Sequence, residues 1–354
     1  MFQLYRSLLE GVSSLLPKER VTRQRNLAAM LVGIYLSGSV QLNRIASKVP
    51  STAKLTSISK RLSRFVSNEG IDAKGWYRPF ATGVIRHLVA SGSELRLMID
   101  GSKVSADKQL LMVSIAYRRR ALPLLWCWIP HRKGRSNTAK QLALLREVQA
   151  LIPLEAKVSL VGDSEFGDVA VLQHLDLWGW RYALRQKGSC LYQDANGSWH
   201  KLQNAVAEGQ SKDLGEVVLT RKHHYRTRLV AHWQRGHKEP WLLATNYPSK
   251  HDTLRAYSKR MWTEEMFGDF KGNGFDLEST RLSDEERLSR LTVAVCLLYV
   301  WLIALGSATI KRGDRHLVDR TDRRDLSIFR IGCYMLDRKL RLEQSVTLPL
   351  LPYL

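Results

Sequence analysis

Acidic residues are scarce in this 354-residue chain: 33 Asp and Glu stand against 55 Lys and Arg, a net charge of +22. Such an excess favours a polyanionic partner, nucleic acid first. Cysteine is sparse too, with only Cys127, Cys190, Cys296 and Cys333, far apart in sequence. Without a CxxC pair or clustered histidines, structural zinc and a disulfide framework are both disfavoured, as suits a reducing cytoplasm. The start, MFQLYRSLLEGVSSLLPKER, lacks the apolar stretch and small-residue cleavage site of a signal peptide. Long hydrophobic runs are missing with one exception, the 18 uncharged residues 291–308. That length is the lower edge for a membrane span. The run follows SDEERLSR, where Ser283 and Glu286 form an expected capping box, and a helix apolar all round is expected to be a buried core helix. Internal repeats and low-complexity tracts are absent.

What the chain does have is the stretch 257–271, YSKRMWTEEMFGDFK. Its residues favour helix, and Tyr257, Arg260, Glu264 and Lys271 follow a Y-x2-R-x3-E-x6-K pattern. Offsets of this kind put all four on one helix face. A solvated face with an ordinary Arg260–Glu264 pair has the same composition. One carboxylate among two cations and a phenol also suits a place where a metal-binding acid meets phosphate. Two-metal phosphoryl chemistry needs further carboxylates, and two apolar strand-like runs, LRLMID and KVSLVGD, end on Asp100 and Asp163. Each is followed by a turn, and an Asp at a strand's end works against strand propensity.

Asp100, Asp163 and Glu264 resemble the DDE triad of bacterial insertion-sequence transposases. The stretch 257–271 resembles the YREK signature of the family-four group, and the likeness covers about residues 95–306. It implies that Asp100, Asp163 and Glu264 hold two Mg2+ ions, with Mn2+ as a substitute. Arg260 and Lys271 would contact phosphates of the transferred end, Tyr257 would lie near a flipped nucleotide, and Trp241 would fill the space that the base leaves. Trp233 is the alternative to Trp241. Glu265 is the rival to Glu264, with Asp269 and Glu165 ranked lower. The implied activity is cleavage and strand transfer on double-stranded transposon ends and target DNA, through a hairpin intermediate. The implied setting is a homodimeric synaptic complex at the bacterial nucleoid in the cytoplasm, with no membrane. A nuclease on the same fold, an inactivated transposase acting as a repressor, and a basic membrane-associated protein are the other readings.

In chain order, residues 1–90 are expected to be a helical basic DNA-binding domain, with 14 Lys and Arg against 4 Asp and Glu. VQLNRIASKVP and TAKLTSISKRLSRFVSN outline a helix-turn-helix-like reader with Lys54, Lys60, Arg61 and Arg64 on its second helix. Residues 91–188 and 247–310 form the expected catalytic core. LRLMID, KQLLMVSIAYR and ALPLLWCWIP are antiparallel strands, followed by a helix capped by Ser136 or Asn137, a strand, a helix and a strand. This is the order of the α/β ribonuclease H-like mixed sheet, in which the first and fourth strands lie side by side. Residues 189–246 read as a β-rich insertion carrying the basic run RKHHYRTR, with His223 and His224 on alternate faces of a strand. Residues 311–354 are a basic tail with a helix over Ile328, Ile331, Met335 and Leu336, packing on its own domain or on a second protomer. The final LPLLPYL receives no assignment.

Overall fold

The computed structural model describes residues 1–130 and 136–347. The segments 131–135 and 348–354, the latter holding LPLLPYL, lie outside the described residues. Five helices come first: α1 Phe2–Leu15, α2 Val21–Ser37, α3 Leu42–Ala46, α4 Leu55–Val66 and α5 Ala73–Ala90. Then come β1 Leu95–Lys103, β2 Lys108–Tyr117, β3 Arg120–Pro130, α6 Thr138–Gln149, β4 Val158–Gly162, α7 Val169–Leu177 and β5 Arg181–Arg185. Five further strands follow: β6 Leu191–Gln193, β7 Trp199–Lys201, β8 Ser211–Leu219, β9 Tyr225–His232 and β10 Trp241–Thr245. The chain ends with α8 Lys250–Tyr257, α9 Met261–Phe270, α10 Glu285–Lys311 and α11 Ile328–Arg341. Two compact units result. One comprises Met1–His87, Val104–Lys108 and Met266–Leu354; the other comprises Leu88–Lys103 and Gln109–Glu265.

The second unit is built on a ten-stranded sheet in the order β3-β2-β1-β4-β5-β10-β9-β8-β6-β7. β1 is parallel to β4, and β4 to β5, while β2 is antiparallel to β1. With α6 and α7 as the crossovers, the first five strands have the expected ribonuclease H-like topology. β2, β3 and β4 are buried almost throughout on both faces, as strands covered on both sides must be, whereas one face of β1 carries Arg96, Asp100 and Ser102. The strands of the β-rich residues 189–246 belong to the same sheet. β10 pairs antiparallel with β5, Leu243 opposite Arg185, so β6 to β10 prolong the central sheet. β1 also runs on past Asp100, where a turn was expected, because β2 keeps pairing with it as far as Lys103↔Gln109. His223 and His224 lie in the turn between β8 and β9 rather than on a strand, with His224 at φ 44°.

β2 and β3 are joined by the two-residue turn Arg118–Arg119, both at positive φ (41° and 64°). Such turns favour Asn-Gly, because these angles strain any residue with a branched or long side chain. Arg118→Asn/Arg119→Gly is therefore expected to raise stability by about 1 kcal/mol, read as a higher urea midpoint.

In the first unit, α2 ends at Gly38 in the left-handed conformation (φ 58°). α4 buries Ile58, Leu62, Phe65 and Val66 and leaves Lys60, Arg61 and Arg64 exposed, with Lys54 exposed at its N-cap. α10 has 94% of its most apolar 18-residue window buried. Its N-cap is Asp284, which accepts from the Arg287 N–H at 2.8 Å, one residue beyond the expected Ser283. Arg290, 6% exposed on this helix, donates to the carbonyls of Ile71 (3.0 Å) and Val66 (3.1 Å). Such pairing is what a buried guanidinium requires. α11 lays its apolar face on α10 within the same chain, with Phe329 stacked on Tyr299 at 5.5 Å.

Candidate functional site

Sheet register brings the two aspartates together. Ile99 of β1 pairs with Gly162 of β4, so Asp100 and Asp163 are the next residues along two parallel neighbours, about 4.8 Å apart between strands. β4 stops there while β1 continues to Lys103. Asp163 Oδ1 accepts from the Glu165 N–H at 2.8 Å, an Asx-type turn that fixes the carboxylate at the strand end.

The stretch 257–271 is not one continuous helix. α8 ends at Tyr257, a 3-10 turn spans Ser258–Arg260, and α9 begins at Met261. Ser258 Oγ (3.0 Å) and Lys259 Nζ (2.7 Å) both donate to the Arg255 carbonyl. Side-chain bonding of this kind bends helices. In the tighter turn, residues three apart are eclipsed, and the Arg260 guanidinium lies over the Tyr257 ring, 6.0 Å from its centroid. Lys271 falls just past the end of α9, in the first unit, where its Nζ meets Glu278 Oε1 at 2.8 Å.

Arg260 is the hub of the site. It donates to Asp100 Oδ2 at 3.2 Å and to Glu264 Oε1 at 2.5 Å, and its buried Nε–H has no partner among the described residues. Thr263, a residue that sequence reasoning passed over, donates its hydroxyl to the same Asp100 oxygen at 2.8 Å. The other oxygen of Asp100 accepts from the Gly101 N–H at 2.8 Å. Asp100 is 7% exposed. Burial pushes its carboxyl up to about 6; Arg260 and Thr263 pull against this, and the neighbouring Asp163 adds to it. Burial also works against the charge of Arg260, but Tyr257, Asp100 and Glu264 outweigh it and hold the guanidinium protonated.

Among the described residues, no three His, Cys, Asp or Glu side chains converge closely enough to hold a metal ion. Asp100 and Asp163 adjoin, and the Arg260 guanidinium bridges Asp100 and Glu264. Glu265, one residue round the helix, is paired with Arg120 at 2.6 Å. Glu165 is clamped by the Ser136 N–H (2.6 Å) and the Ser136 hydroxyl. Asp269 belongs to the first unit. Trp241 packs edge-on against buried Tyr257, ring centroids 4.9 Å apart, whereas Trp233 donates to the His237 carbonyl within its own hairpin loop. Burial pushes the Tyr257 phenol up to about 12. His223 lines a cleft with Ser164, Glu165 and Lys187.

A comparison with curated proteins finds no match. Among solved structures, the chain is similar to a piggyBac transposase in a cryo-EM synaptic complex with hairpin DNA. The TM-score is 0.43 at 8% identity, over 99% of this chain and 83% of that one. Residues 71–301 match the transposase DDE domain family. That match reaches from just before α5 into α10, takes in every strand of the sheet together with Asp100, Asp163 and Glu264, and spans well over half of the residues: the chain belongs to the transposase DDE domain family.

Proposed function

We propose that this chain is an insertion-sequence transposase of the YREK-bearing family-four group, cutting and joining DNA with Asp100, Asp163 and Glu264 as its acidic triad. The observation that carries this reading is the adjacent pair Asp100–Asp163 with Arg260 and Thr263 of the signature stretch bonded to Asp100. The donor set suits Mg2+, which prefers oxygen ligands, and Mn2+ could replace it. Asp100 and Asp163 would hold it, joined by Glu264 once that carboxylate leaves Arg260. Bound there, two such ions would activate a water or a 3′-hydroxyl and stabilise the leaving oxygen of an in-line displacement at phosphorus.

The chain's own groups do the rest. Arg260 keeps its charge while buried and has a free Nε–H donor, so it can take a phosphate oxygen when it releases Glu264. Thr263 holds the Asp100 carboxylate in one orientation. Trp241, half-buried and edge-on to the buried Tyr257, would offer its ring to an unpaired base, and Lys271 is assigned to the phosphates of the same end. The exposed cations of α4, in the domain 1–90, would contact terminal repeats. A pair of chains would join two ends at the bacterial nucleoid, with hairpin formation before strand transfer.

A second reading, a repressor that binds DNA without cutting it, is favoured by the Arg260–Glu264 contact and by the lack, among the described residues, of a converged acidic trio. A cleavage and strand-transfer assay separates the two, with Mg2+ and DNA carrying the ends that flank the gene. The wild type and Glu265→Ala are expected to cut, and Glu264→Ala to bind without cutting. A wild type that binds these ends but never cuts in Mg2+ or Mn2+ overturns the enzyme reading.

A further inference from the structure

Register sets a second row of residues on the face of the sheet that carries the aspartates. Arg96 of β1 pairs with Ser159 of β4, and Ser159 with Arg181 of β5. Strand residues alternate between faces. Arg96, Met98 and Asp100 therefore share a face with Ser159, Val161 and Asp163. Lys259 and Ala256 lie over this row, lining a recess with Arg96, Ser159 and Val161. Arg181 stands over the Tyr247 ring at 5.7 Å, and Tyr247 is hydrogen-bonded to Ser159.

The row is strongly cationic. Arg96, Arg181, Arg255 and Lys259 gather there, and Glu94, 3.1 Å from Arg96, is the carboxylate acting among them. Burial, and then Arg96 and Arg255, hold the Lys259 ammonium below its usual range, so these like charges act on one another. Such crowding opposes folding unless an anion relieves it. From Arg96 to Asp100 is four strand residues, about 13 Å at ~3.3 Å per residue.

We propose that Arg96, Arg181, Arg255 and Lys259 form a binding site for the phosphodiester backbone of DNA, with Arg96 about 13 Å along β1 from Asp100. This rests on the transposase reading given under Proposed function. Arg96 and Arg181 are exposed, so they serve contact rather than packing. The site grips backbone, not base edges, and it works alongside the helical domain 1–90 by adding sequence-independent affinity next to the chemistry.

The test measures binding of the full chain to duplex DNA carrying the flanking ends, over a range of KCl. Each neutralised phosphate contributes about 0.9 to the slope of log K against log salt. Arg96→Gln/Arg181→Gln is expected to lower that slope by about 2, Lys259→Gln by about 1, and Arg96→Lys/Arg181→Lys to restore it. An unchanged slope in both glutamine variants, while the wild type binds and cuts, overturns this inference and leaves the transposase reading standing. A wild type without salt-dependent binding to the duplex overturns both.

Discussion

Replacing Asp100 by asparagine is expected to abolish DNA cleavage while making the metal-free protein more stable above pH 6. On the proposed function, the loss of activity follows from removing a ligand to ions worth several kcal/mol of transition-state charge, roughly a thousandfold or more at ~1.4 kcal/mol per tenfold. The gain in stability follows from the carboxyl's environment. Its folded value of about 6 lies above the ordinary 3.8, because burial penalises the charged form more than Arg260 and Thr263 relieve it. Between those values the folded state binds more protons than the unfolded one, so stability falls as pH rises. The cost is absent below pH 4 and complete above pH 6, where it amounts to about 3 kcal/mol. Asparagine removes it, so the variant's melting temperature exceeds that of the wild type at pH 8 and converges with it near pH 4. Adding Mn2+ is expected to raise the wild-type melting temperature and to leave Asp100→Asn nearly unmoved. A variant that melts below the wild type at pH 8 without metal would show that the asparagine is worse accommodated than the buried charge.

Gly332→Ala is expected to cost the first unit several kcal/mol, enough to leave little folded protein at 37 °C. α10 and α11 touch backbone to backbone. A Cβ on Gly332 would lie 1.9 Å from the Leu302 carbonyl oxygen, and one on Gly306 would lie 2.0 Å from that of Ile328. No rotamer change relieves a clash with backbone, so the helices must move apart. The packing of Phe329, Ile331, Met335 and Leu336, the buried stripe of α11, then loosens together. Gly272→Ala is the control, since nothing lies within 4 Å of its added carbon, and it should change stability by less than about 0.5 kcal/mol. Urea denaturation of the three proteins decides the point. Equal midpoints for Gly332→Ala and wild type would mean that the helix pair separates at no cost.

Much of this architecture is carried by local pattern. The helical spacing of α2 and α4, the apolar runs of β1 to β4, the acids that close them, and the i,i+4 contact of Arg260 with Glu264 depend on neighbours in sequence, and each is legible there. So is the cationic excess that points to a polyanion. The family likeness, too, rests on spacing within one short stretch.

Other features depend on partners distant in the chain, and only the tertiary structure decided them. Whether β10 would start a new layer or extend the sheet turned on its pairing with β5, some sixty residues earlier. The 3-10 break in the signature stretch came from two side chains competing for one carbonyl, which propensity does not weigh. Glu264 and Glu265 differ by a single step in sequence; Arg120, from β3, takes up Glu265, and Arg260 holds Glu264 beside Asp100. The sequence by itself determined which residues could bear charge and in what order the elements run, because both follow from short-range chemistry. Register between strands determined which of those charges meet, because a shift of one residue would have turned Asp100 and Arg96 to the opposite face.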